Sequence, residues 1–143
     1  MIKKMSIIFL LLLIIPKANC VSANKAETIK LPVLMYHQIS ENENSWNNYV
    51  ISPEEFRADM EYIKSLGWDT VGLNDLLMWH RGEFIMPEKP VMITFDDGFK
   101  SLTKFAEPIL EEFGYKAVAA IIGSLCDEYS SDDDYPTEWD YLS

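Results

Sequence analysis

The chain has 143 residues, enough for one modest domain. Three of its 12 basic residues fall in the first 23 positions and none of its 23 acidic ones does, so residues 24–143 carry a formal charge of −14. A surface that acidic argues against nucleic acid or an anionic membrane as a partner, and leaves neutral or cationic glycans open.

Residues 1–23 have the layout of a secretory signal peptide. Lys3 and Lys4 precede an apolar run over residues 7–15, and Val21-Ser22-Ala23 supplies small residues for cleavage. The run is short for a membrane span, so no stable span is expected after cleavage. Cys20 opens lipidation as an alternative, although Lys17, Ala18 and Asn19 match a lipid-attachment box poorly. Residues 24–143 form the expected domain, and with Cys126 as its single cysteine it can hold no internal disulfide.

Residues 31–36, LPVLMY, read as a buried strand that ends at His37. After the turn-rich ENENSWNN, Ser52-Pro53-Glu54-Glu55 opens a helix. Ser52 is suited to cap it, Pro53 to fill its first position and Glu55 to close a capping box. Phe56, Met60 and Ile63 follow at helical spacing, Leu66 lies near the same face, and Gly67 supplies the stop. Residues 68–71 predict a second strand, and residues 74–80 a short helix ended by Arg81-Gly82.

The third strand is predicted over residues 90–95. A helix follows over residues 99–113, with Leu102, Phe105, Ile109 and Phe113 on one stripe and Gly114 at its end. AVAAII, residues 117–122, reads as a fourth buried strand. Continuous apolar strands alternating with amphipathic helices predict an α/β domain with a parallel sheet or barrel. The acid-rich stretch over residues 127–140 reads as a solvated loop, a calcium-binding loop being the alternative.

In a parallel α/β fold the carboxyl ends of the strands hold the functional site. His37 follows the first strand and Asp96-Asp97 follow the third, so all three are expected at one end of the sheet. Adjacent carboxylates repel unless a positive group relieves them. A division of labour resolves the cost: one carboxylate binds a divalent metal and its neighbour takes a proton from water. Gly98 lets the backbone turn sharply where a side chain would crowd a substrate.

The segments LPVLMYHQIS, ISPEEFRADMEYIKSLGWDTVGLNDLL and KPVMITFDDGFKS resemble, in order and spacing, the polysaccharide deacetylase family, carbohydrate esterase family 4. The resemblance runs from about Leu31 to the end. It implies the N-terminal part of a distorted (β/α) barrel, usually seven-stranded, truncated here. It implies metal-dependent deacetylation of an N-acetylated polysaccharide such as poly-N-acetylglucosamine, chitin-like glycan or peptidoglycan, in a secreted or cell-envelope protein. By position Asp96 resembles the general base and Asp97 the ligand of zinc or another divalent metal. Tyr36 and His37 resemble a segment lining the pocket, beside Gly98.

Family members complete the metal site with a later His-x-x-x-His motif. The two histidines here, His37 and His80, form no such pair. The expectation is therefore the N-terminal portion of a deacetylase, ended by a premature stop, a frameshift or a gene-model boundary, and holding no metal tightly by itself. A catalytically dead remnant and a glycan-binding module are the alternatives. Trp46, Tyr49, Trp68 and Trp79 are read as packing groups rather than sugar-stacking platforms.

Overall fold

The structure is a computed structural model that describes residues 28–124. The expected signal segment and the acidic stretch over residues 127–140 lie outside the described residues.

A parallel sheet is built around β5 (Pro90–Asp97). Along one side β1 (Val33–Tyr36) pairs in parallel with residues 92–95 of β5. The two short strands β4 (Asp69–Thr70) and β6 (Val118–Ile121) pair with the start and the end of β5, also in parallel. Between them run α1 (Pro53–Ser65), α2 (Leu73–His80) and α3 (Glu107–Phe113). The predicted order of four strands and three helices is thus the observed one, and the class is mixed α/β with a parallel sheet. A small second sheet, β2 (Gln38–Ile39) with β3 (Val50–Ile51), was not expected.

Period-two alternation divides the sheet's side chains between its faces. Val91, Ile93 and Phe95 of β5 join Phe56, Met60 and Ile63 of α1 and Ile109 and Leu110 of α3 in one core. That core anchors β5 from behind, so its last residues are held where the strand runs out. α1 forms as its sequence dictates: Ser52 Oγ accepts from the Glu55 N–H at 3.0 Å, and Glu55 returns a carboxylate to the Ser52 N–H at 3.0 Å.

Two expectations need correction. The helix predicted over residues 99–113 is interrupted, because residues 102–106 form a π-helical turn ahead of α3. Pro108 is the physical reason: without an N–H it cannot bond the carbonyl of Lys104, and the ladder widens so that the Glu107 N–H reaches Leu102. The fourth strand was read as buried, yet β6 is largely exposed among the described residues.

Candidate active site

The paired acids close β5. Alternation puts Asp96 on the sheet face turned away from the helices, in line with Met92 and Thr94 and opposite Ala120 of β6. Asp97 breaks the alternation because its backbone is left-handed, with φ of 73°. A non-glycine residue there costs about 1–2 kcal/mol, with aspartate among the residues that tolerate it best. β6 holds the distortion in place: Asp97 pairs with Ile121, and its carbonyl accepts from the Ile122 N–H at 3.4 Å.

Gly98 continues the left-handed path with φ of 86°. A Cβ there would come within 3.1 Å of Ile121 Cγ2 and 3.4 Å of its Cα. Both the dihedral and the packing therefore require glycine.

His37 leaves β1 and meets Asp97 across 60 residues of sequence: its Nδ1 lies 3.1 Å from Asp97 Oδ2. With Nδ1 protonated the ring donates to the carboxylate and fixes its orientation. His37 Nε2 is buried and has no hydrogen-bond partner among the described residues. The segment after His37 is tied to the segment after Gly98, since Ser101 Oγ accepts from the Ile39 N–H at 3.2 Å.

β2 and β3 fix the loop above the site. Trp46 Nε1 donates to the Ser40 carbonyl at 2.8 Å, and the Gln38 N–H donates to the Tyr49 carbonyl at 3.1 Å. Tyr49 thereby stands perpendicular to His37, ring centres 5.1 Å apart. Sequence reasoning did not place Tyr49 at the site. The available signal was the apolar pair Val50-Ile51 ahead of the Ser52 cap, too short to register as a strand by periodicity.

Asp96, Asp97, Gly98 and His37 are thus brought together at one end of the sheet. Tyr36 is not. Its ring packs between Phe56 and Phe95 on the helix side, at 5.0 and 5.6 Å between centres, and its hydroxyl donates to Asp59 at 2.9 Å. Burial, reinforced by the Asp59 carboxylate, holds that phenol well above the usual tyrosine range. His80 sits exposed at the end of α2.

A metal places a harder demand on the site. A catalytic zinc takes three protein donors plus water. Here one carboxylate and one imidazole already bond each other, and among the described residues no group of three or more His, Cys, Asp or Glu converges. The described residues alone do not fit a divalent metal.

Comparison with known proteins places this geometry. Residues 85–141, which take in β5 and the acidic pair, match the family model for polysaccharide deacetylase. The protein YxkH of Bacillus subtilis (strain 168), named for the polysaccharide deacetylases, is 36% identical over 94 residues, 66% of this chain and 32% of that protein. The poly-beta-1,6-N-acetyl-D-glucosamine N-deacetylase of Escherichia coli (strain K12) is 29% identical over 94 residues, 66% of this chain and 14% of that one. The chain thus spans a minor part of the length of the curated relatives it matches. In fold it is similar to a de-N-acetylase from Aggregatibacter actinomycetemcomitans, with a TM-score of 0.68 at 23% identity over 79% of this chain and 47% of that chain. The parallel sheet with an acidic pair at its carboxyl end, the family match over residues 85–141 and the relatives agree: the chain is similar to the polysaccharide deacetylases.

Proposed function

We propose that the protein carrying these residues hydrolyses acetyl groups from an N-acetylated polysaccharide: poly-N-acetylglucosamine, a chitin-like glycan or peptidoglycan. The observation that carries the reading is the division of the acidic pair. Asp97 is engaged by His37, and Asp96 closes the same sheet end beside it, opposite Ala120 of β6. In amide hydrolysis a water attacks the acetyl carbonyl carbon, and a carboxylate takes its proton as the new C–O bond forms. Asp96 is the residue we assign to that task, by its position in the TFDDG segment. The tetrahedral intermediate then collapses with cleavage of the C–N bond, and the amine leaves with a proton, giving acetate and a glucosamine unit.

His37 holds Asp97 and lines the site, and Gly98 keeps the floor clear. The family is generally divalent-metal dependent. Zinc or another divalent cation is the cofactor we assign to the whole enzyme, Asp97 being the ligand these residues could contribute and the other donors lying outside the described residues. Two of the three relatives bear on substrate: one is named for poly-beta-1,6-N-acetyl-D-glucosamine and another for de-N-acetylation. With residues 1–23 read as a signal peptide ahead of the domain over residues 24–143, the protein works outside the cytoplasmic membrane, secreted or at the cell envelope. Among the described residues no helix is long and apolar enough to cross a membrane.

Acetate release from β-1,6- and β-1,4-linked N-acetylglucosamine oligomers tests the reading, using the natural protein with zinc or cobalt supplied. Release above the uncatalysed rate is expected. No release from either linkage would remove the assignment.

A further inference from the structure

The loop over residues 41–49 is better fastened than its polar sequence suggests. Asn42 caps a 3₁₀ turn, Trp46 Nε1 is bonded to the Ser40 carbonyl, and Asn47 bridges back to Val50. The Tyr49 N–H is itself held by Asn47 Oδ1 at 2.8 Å, and its carbonyl accepts from the Gln38 N–H. Yet Tyr49, the residue this scaffold presents, is 65% exposed. Its perpendicular contact with His37 uses one side or one edge of the ring and leaves the remainder open. A large aromatic ring, fixed in place, open to solvent and one residue away from the Asp97 carboxylate through His37, is poorly explained as packing.

We propose that Tyr49 is the stacking platform for a pyranose ring of the glycan, and so a substrate-positioning residue beside the acidic pair. The inference rests on the deacetylase reading and adds to it the subsite that orients the polymer. A β-linked pyranose presents a flat face of C–H groups, apolar enough to lie on an aromatic ring while its hydroxyls and acetamido groups stay in water. A tyrosine gives that contact area with two side-chain torsions to immobilise, and a backbone already hydrogen-bonded adds little further ordering cost. The partner is a neutral N-acetylhexosamine oligomer, which the strongly acidic surface does not repel.

The test is calorimetric titration of the full chain with the β-1,4-linked hexamer of N-acetylglucosamine, for the wild type, Tyr49→Ala, Tyr49→Trp and Tyr62→Ala. Tyr62 is the control, an equally exposed tyrosine on α1 at 64%. Loss of the Tyr49 ring is expected to weaken binding about tenfold, the size of one aromatic contact. Tyr49→Trp should restore affinity and Tyr62→Ala should leave it unchanged, with thermal unfolding the same in all four proteins. Equal affinity of Tyr49→Ala and wild type overturns the platform while the deacetylase reading stands. So does an absence of heat with the wild type, since the reading is judged separately by acetate release. Loss of affinity in both Tyr49→Ala and Tyr49→Trp with altered unfolding also overturns it, by making Tyr49 structural.

Discussion

At the scale of single residues, the site is made by two left-handed dihedrals. Asp97 accepts a strained backbone so that its carboxylate can meet His37, and Gly98 makes the next step possible. Gly98→Ala is expected to destabilise the fold by about 1–2 kcal/mol from the dihedral alone, with the close approach to Ile121 adding to it. Chemical denaturation of the two proteins reads the difference, and equal midpoints would refute the account of Gly98. The acidic pair and glycine were legible in the sequence because VMITFDDG joins an apolar run to an abrupt polar end. The orientation of Tyr36 was not legible. LPVLMY is apolar throughout, so its strand offers no alternation to tell one face from the other, and the ring's place between Phe56 and Phe95 is set by tertiary packing.

At the scale of elements, local chemistry decided what could be read. The capping box of α1 is written into four consecutive residues, and both of its reciprocal bonds are present. Ser52→Ala should cost about 1 kcal/mol of stability, measurable as a lower thermal midpoint; an unchanged midpoint would show the cap to be redundant. α2 starts differently. Asp75 accepts from the Gly72 N–H at 2.7 Å and from Lys116 Nζ at 2.8 Å, which ties the helix to the approach of β6. The Gly72 N–H first, and Lys116 second, hold the Asp75 carboxyl below the usual carboxylate range. A depressed folded-state value means that its contribution is complete above the ordinary carboxylate value and is lost as pH falls through the lower one. Asp75→Asn should therefore flatten the acid limb of a stability-versus-pH curve below about pH 4. A variant whose acid limb matches the wild type would contradict this. The break after Gly98 went unread because helical spacing persists across Pro108, while the missing N–H changes the ladder and not the pattern of side chains.

At the scale of the whole molecule, one small core carries the sheet. Phe56 is fully buried against Tyr36 and Phe95 and joins α1 to β1 and β5. Phe56→Ala is expected to cost about 3–5 kcal/mol, a loss that urea unfolding would register as a large fall in midpoint; a shift typical of a surface change would mean that the core lies elsewhere. The parallel order of strands was legible because the runs that hold β1, β5 and β6 are mostly apolar and alternate with amphipathic helices. That same signal predicts cover on both faces. Among the described residues one face is covered by α1 and α3, while Val33 and Met35 on the other are 54% and 60% exposed. The β2–β3 sheet, which carries Tyr49 to His37, escaped notice because two-residue strands have no period to detect.

The central claim is that Asp96 takes the proton of the attacking water. It is tested most directly by comparing acetate release from an N-acetylglucosamine oligomer for the natural protein and for Asp96→Asn, with thermal unfolding measured on both. The account predicts that the substitution lowers the rate by about 10²–10⁴-fold, the contribution of a general base, while the unfolding midpoint stays the same. Equal rates in the two proteins would contradict it.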